Sequence, residues 1–476
     1  MSPELVIGLV GGYFLVLILV ARFTSKGADS QTFFTANRQS PWYLVAFGMI
    51  GASLSGVTFV SVPGEVGNSF FYYFQVVLGY LLGYLVIATV LMPLYYRLGL
   101  VTIYTYLEKR FGYWSYKTGS AFFLLSRAIQ ASFRLFLVAI VLQTAIFNQL
   151  GVPFWISVLI TILLIWVYTF QGGIKTIVWT DTLQTLFMLI AVVVTIYLIT
   201  KELGWNMSET IRQIKSSELS TTLNWDWSNS RFFPKQFLSG ALIAIVMTGL
   251  DQDMMQKNLT CKNLGEAQKN VFWFSFVLII ANILFLSMGA LLYLYAQQKG
   301  ISLPERSDQL FPLLALNHLG LAAGIVFLLG IIAAAYSSAD SALTALTTSF
   351  CVDFLDFDKK TEQERKKTRI KVHIGFSLLL FVIILIFSAI NDDSVINSIF
   401  RAAGYTYGPI LGLFSFGLLT KRQVKDSYVL PICLSSPLLA YLIDINTNSW
   451  FGFFILALNG TLTFIGLWLI SKEPNS

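Results

Sequence analysis

Long apolar stretches, each closed by a short polar or charged segment, run along the chain from end to end. They lie near residues 3–22, 42–63, 70–96, 118–147, 153–169, 174–200, 233–252, 268–297, 319–350, 370–389, 395–418, 428–443 and 451–470. A helix rises about 1.5 Å per residue, so about 20 apolar residues cross the roughly 30 Å of a bilayer's hydrocarbon core. The pattern predicts an all-α polytopic membrane protein of about 13 transmembrane helices. Composition agrees: of the 476 residues 56% are hydrophobic and 12% charged, against about 25% charged in soluble domains. A water-soluble core of this size would show long polar faces, and these stretches have none.

The net charge of +7 does not mark a nucleic-acid partner, because the basic residues sit in short connections between apolar spans. Alternate connections carry them: Arg22, Lys26 and Arg38; Arg97, Lys109, Arg110 and Lys117; Lys175; Lys257, Lys262 and Lys269; the run from Lys359 to Lys371; and Lys421, Arg422 and Lys425. Loops rich in Lys and Arg stay on the cytoplasmic side. The expected orientation is N-terminus outside and C-terminus cytoplasmic in a plasma membrane, and the short tails point to a bacterial one. The first stretch carries Glu4 and no early basic residue, so it reads as a retained span rather than a signal peptide. Cys261, Cys351 and Cys433 are too widely spaced for a zinc or disulfide framework, and His318 and His373 are isolated.

Spans two to eleven divide into five plus five, and two successive copies of five helices must be inverted relative to each other. This gives a ten-helix core over 42–418, with repeats at 42–200 and 233–418. A helix and loop (1–41) precede it and two further helices (419–476) follow. Inverted repeats of this kind place a binding site near the midplane, where discontinuous helices meet. The first span of each repeat is expected to be the broken one. Gly48, Gly51, Gly56, Pro63 and Gly64 interrupt 42–63, and Gly240 and Gly249 interrupt 233–252 less strongly.

Buried polarity is the informative part. Ala334, Ser337, Ser338 and Ser341 follow i, i+3, i+4, i+7 spacing inside an apolar span and so share one helix face. Asp340 lies on an adjacent strip. An intramembrane carboxylate is costly unless paired and is a functional candidate by default. Hydroxyls of this face, with carbonyls freed where 42–63 unwinds, would supply the oxygen ligands that hard cations take. The plainer reading is close helix packing by small residues, with Ser hydroxyls bonded to the i−4 carbonyl. Asp181 follows Trp179 and Thr180 near the start of 174–200, where it is either functional or a hydrated interfacial residue. Gln130 and Arg134, four apart, face one side of 118–147 together, with Arg127 one turn earlier. An inward Arg can clamp a carboxylate in a fork, or pair with a structural acid.

Six stretches, in order, resemble the sodium/solute symporter family across nearly the whole chain. Ser53 to Gly64 is similar to the family's broken first core helix, and Tyr104 to Phe111 to its "YLE-x-RF" element. Gly172 to Gln184 resembles "GG…WTD-x-x-Q", Gly249 to Gln256 the "DQ…Q" stretch, Ala334 to Ser341 the Ser-Ser helix, and Gly408 to Phe414 "GP-x-LG-x-F". The resemblance implies a leucine-transporter-type inverted-repeat core with a sodium site between its first and eighth helices. Carried over by position, its ligands are the carbonyls of Gly51, Leu54 and Ala334 and the hydroxyls of Ser337 and Ser338. Sialic acid carriers of the family imply a second sodium site, here Asp181, Ser337, Asp340 and Ser341. Asp340 replaces a serine there and is either a cation ligand or a proton site. The same branch implies solute contacts at Ser55 and Thr58, with its helping Arg aligned to Gln130 and Arg134 one turn on. The residues that read hydroxyls in galactose carriers align with Ala244 and Met247, which cannot do so, placing the chain nearer the anion-carrying branch.

The function expected is secondary active transport: Na+-coupled symport of a small organic solute (a sugar acid, organic anion or sugar) by alternating access. A proton-coupled or sodium-independent carrier of the same fold stands as the alternative. A membrane-embedded enzyme would need a nucleophile–base or metal set that neither His supplies. A transporter-like sensor would need room beyond Ser476, just past the last span. Lipid bilayer and a small solute are the expected partners, and oligomeric state is left open.

Overall fold

A computed structural model of the chain describes residues 3–24, 35–169, 173–355, 357–390 and 394–473. Lys26 and Gly172, which the sequence reading used, lie outside these described residues. Every predicted apolar stretch falls on helix. In chain order the helices are α1 (Pro3–Thr24), α2 (Trp42–Ser53), α3 (Gly56–Ser69), α4 (Tyr73–Leu98), α5 (Thr105–Arg110), α6 (Tyr113–Phe147), α7 (Phe154–Thr169), α8 (Gly173–Glu202), α9 (Met207–Ser216) and α10 (Phe233–Gly249). They continue as α11 (Gln252–Asn258), α12 (Leu264–Gln298), α13 (Leu310–Asn317), α14 (Gly320–Phe354), α15 (Glu362–Ile390), α16 (Val395–Thr406), α17 (Gly408–Leu419), α18 (Asp426–Asn446) and α19 (Gly452–Ile470). The strands among the described residues are a two-residue pair, Gln423–Val424 against Ser471–Lys472.

Nine of these helices are long and apolar enough to cross a bilayer, and three bent pairs raise the number to twelve among the described residues. The expected thirteenth span is α7. Its 16 residues make about 24 Å at 1.5 Å each, short of a full crossing on their own. The protein is an all-helical, polytopic integral membrane protein.

The bent pairs are α2/α3 at 52°, α10/α11 at 68° and α16/α17 at 48°. The first two open the proposed repeats, as expected, but the breaks fall where local chemistry allows rather than at every glycine. Pro63 lies inside α3 without breaking it. Gly240 is not at the second break at all: a Cβ there would collide with the Val76 carbonyl, so this glycine lets α10 pack tightly on α4. The second break follows Gly249, where the last turn of α10 widens to a π-helix and Asp251 caps α11. The bend at Tyr407, ahead of Gly408-Pro409, was not anticipated.

Helices α14, α8, α6 and α2 form the centre. The span from Ala333 to Ser349 of α14 is buried throughout, polar residues included. Apolar side chains of α7, α8, α12, α15 and α18 such as Leu163, Ile190, Ile280, Leu378 and Leu438 are exposed on the outside. This inside-out arrangement is what lipid as solvent demands.

Candidate cation and solute site

The hydrogen-bond ladder of α2 ends with Leu54 N–H donating to the Ile50 carbonyl at 2.7 Å. It resumes in α3 with Phe59 N–H donating to the Ser55 carbonyl at 3.1 Å. Between them the backbone is non-helical at Leu54 (φ −85°, ψ 63°) and extended at Ser55 (φ −65°, ψ 179°). Carbonyls 51 to 54 therefore lose their usual i+4 donors. In a membrane interior such groups persist only where something else answers them.

The serine face of α14 answers one of them, the Ala52 carbonyl. Ser338 Oγ lies 3.2 Å from the Ala52 carbonyl, to which it donates, and 3.4 Å from that of Ala334. Gly51 sits against Ser337 and Thr185: a Cβ built on it would stand 3.1 Å from Ser337 Oγ and collide with Thr185 Oγ1. Gly51, Ala334, Ser337 and Ser338 are thus brought together at the break, with Leu54 at its apex. Ser337 Oγ donates to Asp181 Oδ1 at 2.8 Å. A hydroxyl whose proton is committed to a carboxylate keeps its lone pairs for a cation. Two oxygens here escaped the sequence reading. Ala52 carries no side-chain signal, whereas Thr185 lies four residues after Asp181 on the same helix face and could have been found by spacing.

Of the other expected cation ligands, Asp181 stays beside Ser337, whereas Ser341 and Asp340 are engaged elsewhere. Asp181 is not interfacial: it is fully buried, and its Oδ2 pairs with Lys257 Nζ at 2.7 Å. Lys257 was counted among loop charges, but it belongs to α11 and is 1% exposed. The apolar stretch ends at 252, five residues short of it. Ser341 Oγ turns to Asp253 Oδ2 at 3.3 Å, and Asp253 is ion-paired with Arg127. Asp340, wholly buried, accepts the Ser341 N–H on Oδ1 at 2.5 Å.

Arg127 also lies 3.8 Å from Asp251. Asp251 Oδ1 caps α11 by accepting from the Asp253 and Met254 amides at 2.9 and 3.3 Å, and its Oδ2 accepts from the Tyr407 hydroxyl. One carboxylate thus ties the α10/α11 break to the α16/α17 break.

Beside the first break is a small cavity of about 70 Å³, so a solute must be compact or the walls must part. Ser55, Thr58 and Arg134 line it, as expected; Gln130 is buried in α6 but is not on the lining. Tyr73, Tyr80 and Asn282 add polar groups, and Ala244 and Met247 present apolar surface. Arg134 Nη1 reaches the Ala52 carbonyl only at 3.5 Å. No carboxylate among the described residues comes within ion-pair distance of Arg134, whereas Arg127, also on the lining, is paired.

A helical membrane bundle whose broken helices meet at a buried polar cavity is the architecture of a secondary transporter. Residues 33–426 match the model of the Sodium:solute symporter family, and the chain belongs to that family. It is a transporter, not an enzyme. It is 24% identical to a sodium/sialic acid symporter, NanT, of Aliivibrio fischeri, over 92% of this chain and 87% of that one. It is 25% identical to a sodium/sialic acid symporter, SiaT, of Proteus mirabilis, over 89% and 86%. A sodium/glucose cotransporter of Vibrio parahaemolyticus is 23% identical over 90% and 83%. The fold matches that of a Na+-coupled sialic acid symporter in a substrate-bound outward-open state, with a TM-score of 0.82, 22% identity and coverage of 98% and 99%. It also matches Mhp1, a nucleobase-cation-symport-1 family transporter in a closed conformation, with a TM-score of 0.62, 16% identity and coverage of 92% and 94%.

Removing one partner of a buried ion pair costs about 3–5 kcal/mol because the other charge is stranded. Arg127→Met should therefore lower the melting temperature of the purified protein more than Arg127→Met combined with Asp253→Asn. Thermal unfolding in detergent checks this; equal losses would mean that the pair carries no such interaction.

Proposed function

We propose that this transporter couples Na+ entry to the uptake of a small organic anion by alternating access. The carrying observation is the approach of Ser338 to the Ala52 carbonyl at 3.2 Å, which sets the serine face of α14 against the freed carbonyls of the α2/α3 break. Na+ is assigned to the carbonyls of Gly51, Leu54 and Ala334 and the hydroxyls of Ser337 and Ser338. Bound there, it would hold the broken helix to α14 and so shape the adjoining cavity, which Ser55 and Thr58 of the break itself line. The repeats at 42–200 and 233–418 are supported by the bent pair that opens each.

The unpaired Arg134 in the cavity supports an anionic solute, and the apolar Ala244 and Met247 speak against a pocket that reads sugar hydroxyls at those positions. We place the N-terminus outside and the C-terminus in the cytoplasm of a plasma membrane. The basic connections support this even without Lys257, since Lys262 and Lys269 remain on that side. One charge crossing 100 mV is worth about 2.3 kcal/mol, and a tenfold Na+ gradient about 1.4 kcal/mol. A single Na+ with a neutral solute would support roughly 500-fold accumulation. With a monovalent anion the two charges cancel, and only the roughly tenfold from the gradient is left.

Uptake into proteoliposomes of labelled sugars, sugar acids, amino acids and monocarboxylates, in Na+ against K+, identifies the solute and tests the coupling. Losing a hydrogen-bonding ligand to a charge costs about 1.5–3 kcal/mol, or roughly 10–100-fold. Ser338→Ala should weaken half-maximal Na+ activation by that factor, and unchanged activation would remove the assigned site. Proton coupling is the second reading, favoured by the wholly buried carboxylate of Asp340. Asp340→Asn uptake should keep its Na+ dependence and its response to pH if that carboxylate only shapes the cation site. Loss of the pH response with Na+ dependence intact would assign it the proton.

A further inference from the structure

Asp181 and Ser337 face one another across α8 and α14, and Ser341 lies one turn beyond Ser337. A carboxylate with hydroxyls beside it is the kind of oxygen set that a hard cation takes. The two carboxylates that these hydroxyls engage are already paired with fixed cations. Lys257 Nζ stands 2.7 Å from Asp181 Oδ2, while Ser337 Oγ donates to the other oxygen of the same carboxylate at 2.8 Å. Ser341 Oγ is 3.3 Å from Asp253 Oδ2, and Asp253 is ion-paired with Arg127.

We propose that the Lys257 ammonium is a tethered substitute for a second sodium, so that this transporter binds a single Na+. The inference rests on the sodium-symport reading given above and fixes its stoichiometry. An ammonium is a compact monovalent cation with three donors and no acceptor. It asks of a carboxylate and a hydroxyl much what Na+ asks of them, but it cannot leave. The lysine is also well placed for the task. It lies in α11, just past the 68° break, and Asp251 caps the N-terminus of that short helix, which holds the stem inside the bundle where a continuous α10 would carry it elsewhere. A free Na+ arriving about 4 Å from a fixed ammonium meets a like charge. At the effective dielectric of a protein site, that repulsion weakens binding by roughly 10²–10³-fold.

The place of Lys257 in the transport cycle follows from this. The charge that would be driven inward by the membrane potential as a second ion stays with the protein. Coupling is traded for a cation site that is filled at every Na+ concentration.

Binding of ²²Na+ to the purified full-length protein tests the proposal with Na+ alone as the probe. The wild type should bind one Na+ per chain with a Hill coefficient of one. Lys257→Gln, which removes the charge and keeps most of the stem, should bind two. Lys257→Arg should stay at one, and Lys257→Gln with Asp181→Asn should return to one because the carboxylate charge is gone. Two Na+ per chain in the wild type, or one in a Lys257→Gln protein that elutes and melts as a folded chain, would overturn the proposal. The wild-type count decides even if that variant does not fold. No Na+ binding in the wild type would bring down the symport reading as well, an outcome distinct from a count of two.

Discussion

Inside a bilayer no water waits to satisfy a backbone carbonyl or amide, so a spanning helix can break only where other protein groups take over its hydrogen bonds. The three bent pairs obey this constraint in different ways. At the α10/α11 break the carbonyls of Gly249 and Leu250 accept from the hydroxyls of Tyr95 and Tyr104, each at 2.9 Å. The amides beyond them are capped by Asp251. At the α16/α17 bend Asn459 Nδ2 donates to the carbonyls of Gly404 and Tyr405 at 3.0 and 2.8 Å. At the α2/α3 break the substitutes are looser: Ser338 at 3.2 Å and Arg134 at 3.5 Å, both on the Ala52 carbonyl. The break that is held most weakly by protein is the one beside the cavity, which is where a mobile ion and a solute can contribute most.

The buried charges are arranged around these breaks rather than scattered. Lys257 with Asp181, and Arg127 with Asp253 and Asp251, join α11 to α8 and α6. Buried pairs of this kind add little net stability over apolar residues of equal size, because desolvation offsets the attraction. What they do is fix geometry, since leaving one partner unpaired is costly. That property suits a protein whose helices must move between a small number of arrangements without slipping into others.

Much of this was legible in the chain. The thirteen apolar stretches all fall on helices, because lipid imposes a length and polarity that sequence shows directly. The serine face of α14 was legible because helical spacing predicts which side chains share a side. Glycine was a poorer guide: Gly56 and Gly249 adjoin breaks, but Gly51 and Gly240 mark close packing on Thr185 and Val76, and both uses look alike in sequence. Lys257 was misplaced for a related reason. A charge at the edge of an apolar run reads as a loop residue until the 68° turn of α10 into α11 is known. Ala52 offered nothing to read, since only its backbone takes part.

In the proposed function, Na+ at the α2/α3 break and solute in the adjoining cavity stabilise one another, and such coupling is reciprocal by thermodynamic necessity. The most direct test is isothermal titration of the purified protein with its transported solute, at zero and at saturating Na+, and with Na+ at zero and at saturating solute. Each ligand should tighten the other by the same factor, at least about tenfold, within the usual 1–3 kcal/mol range of such couplings. Solute affinity that is identical in Na+ and in K+ would contradict it.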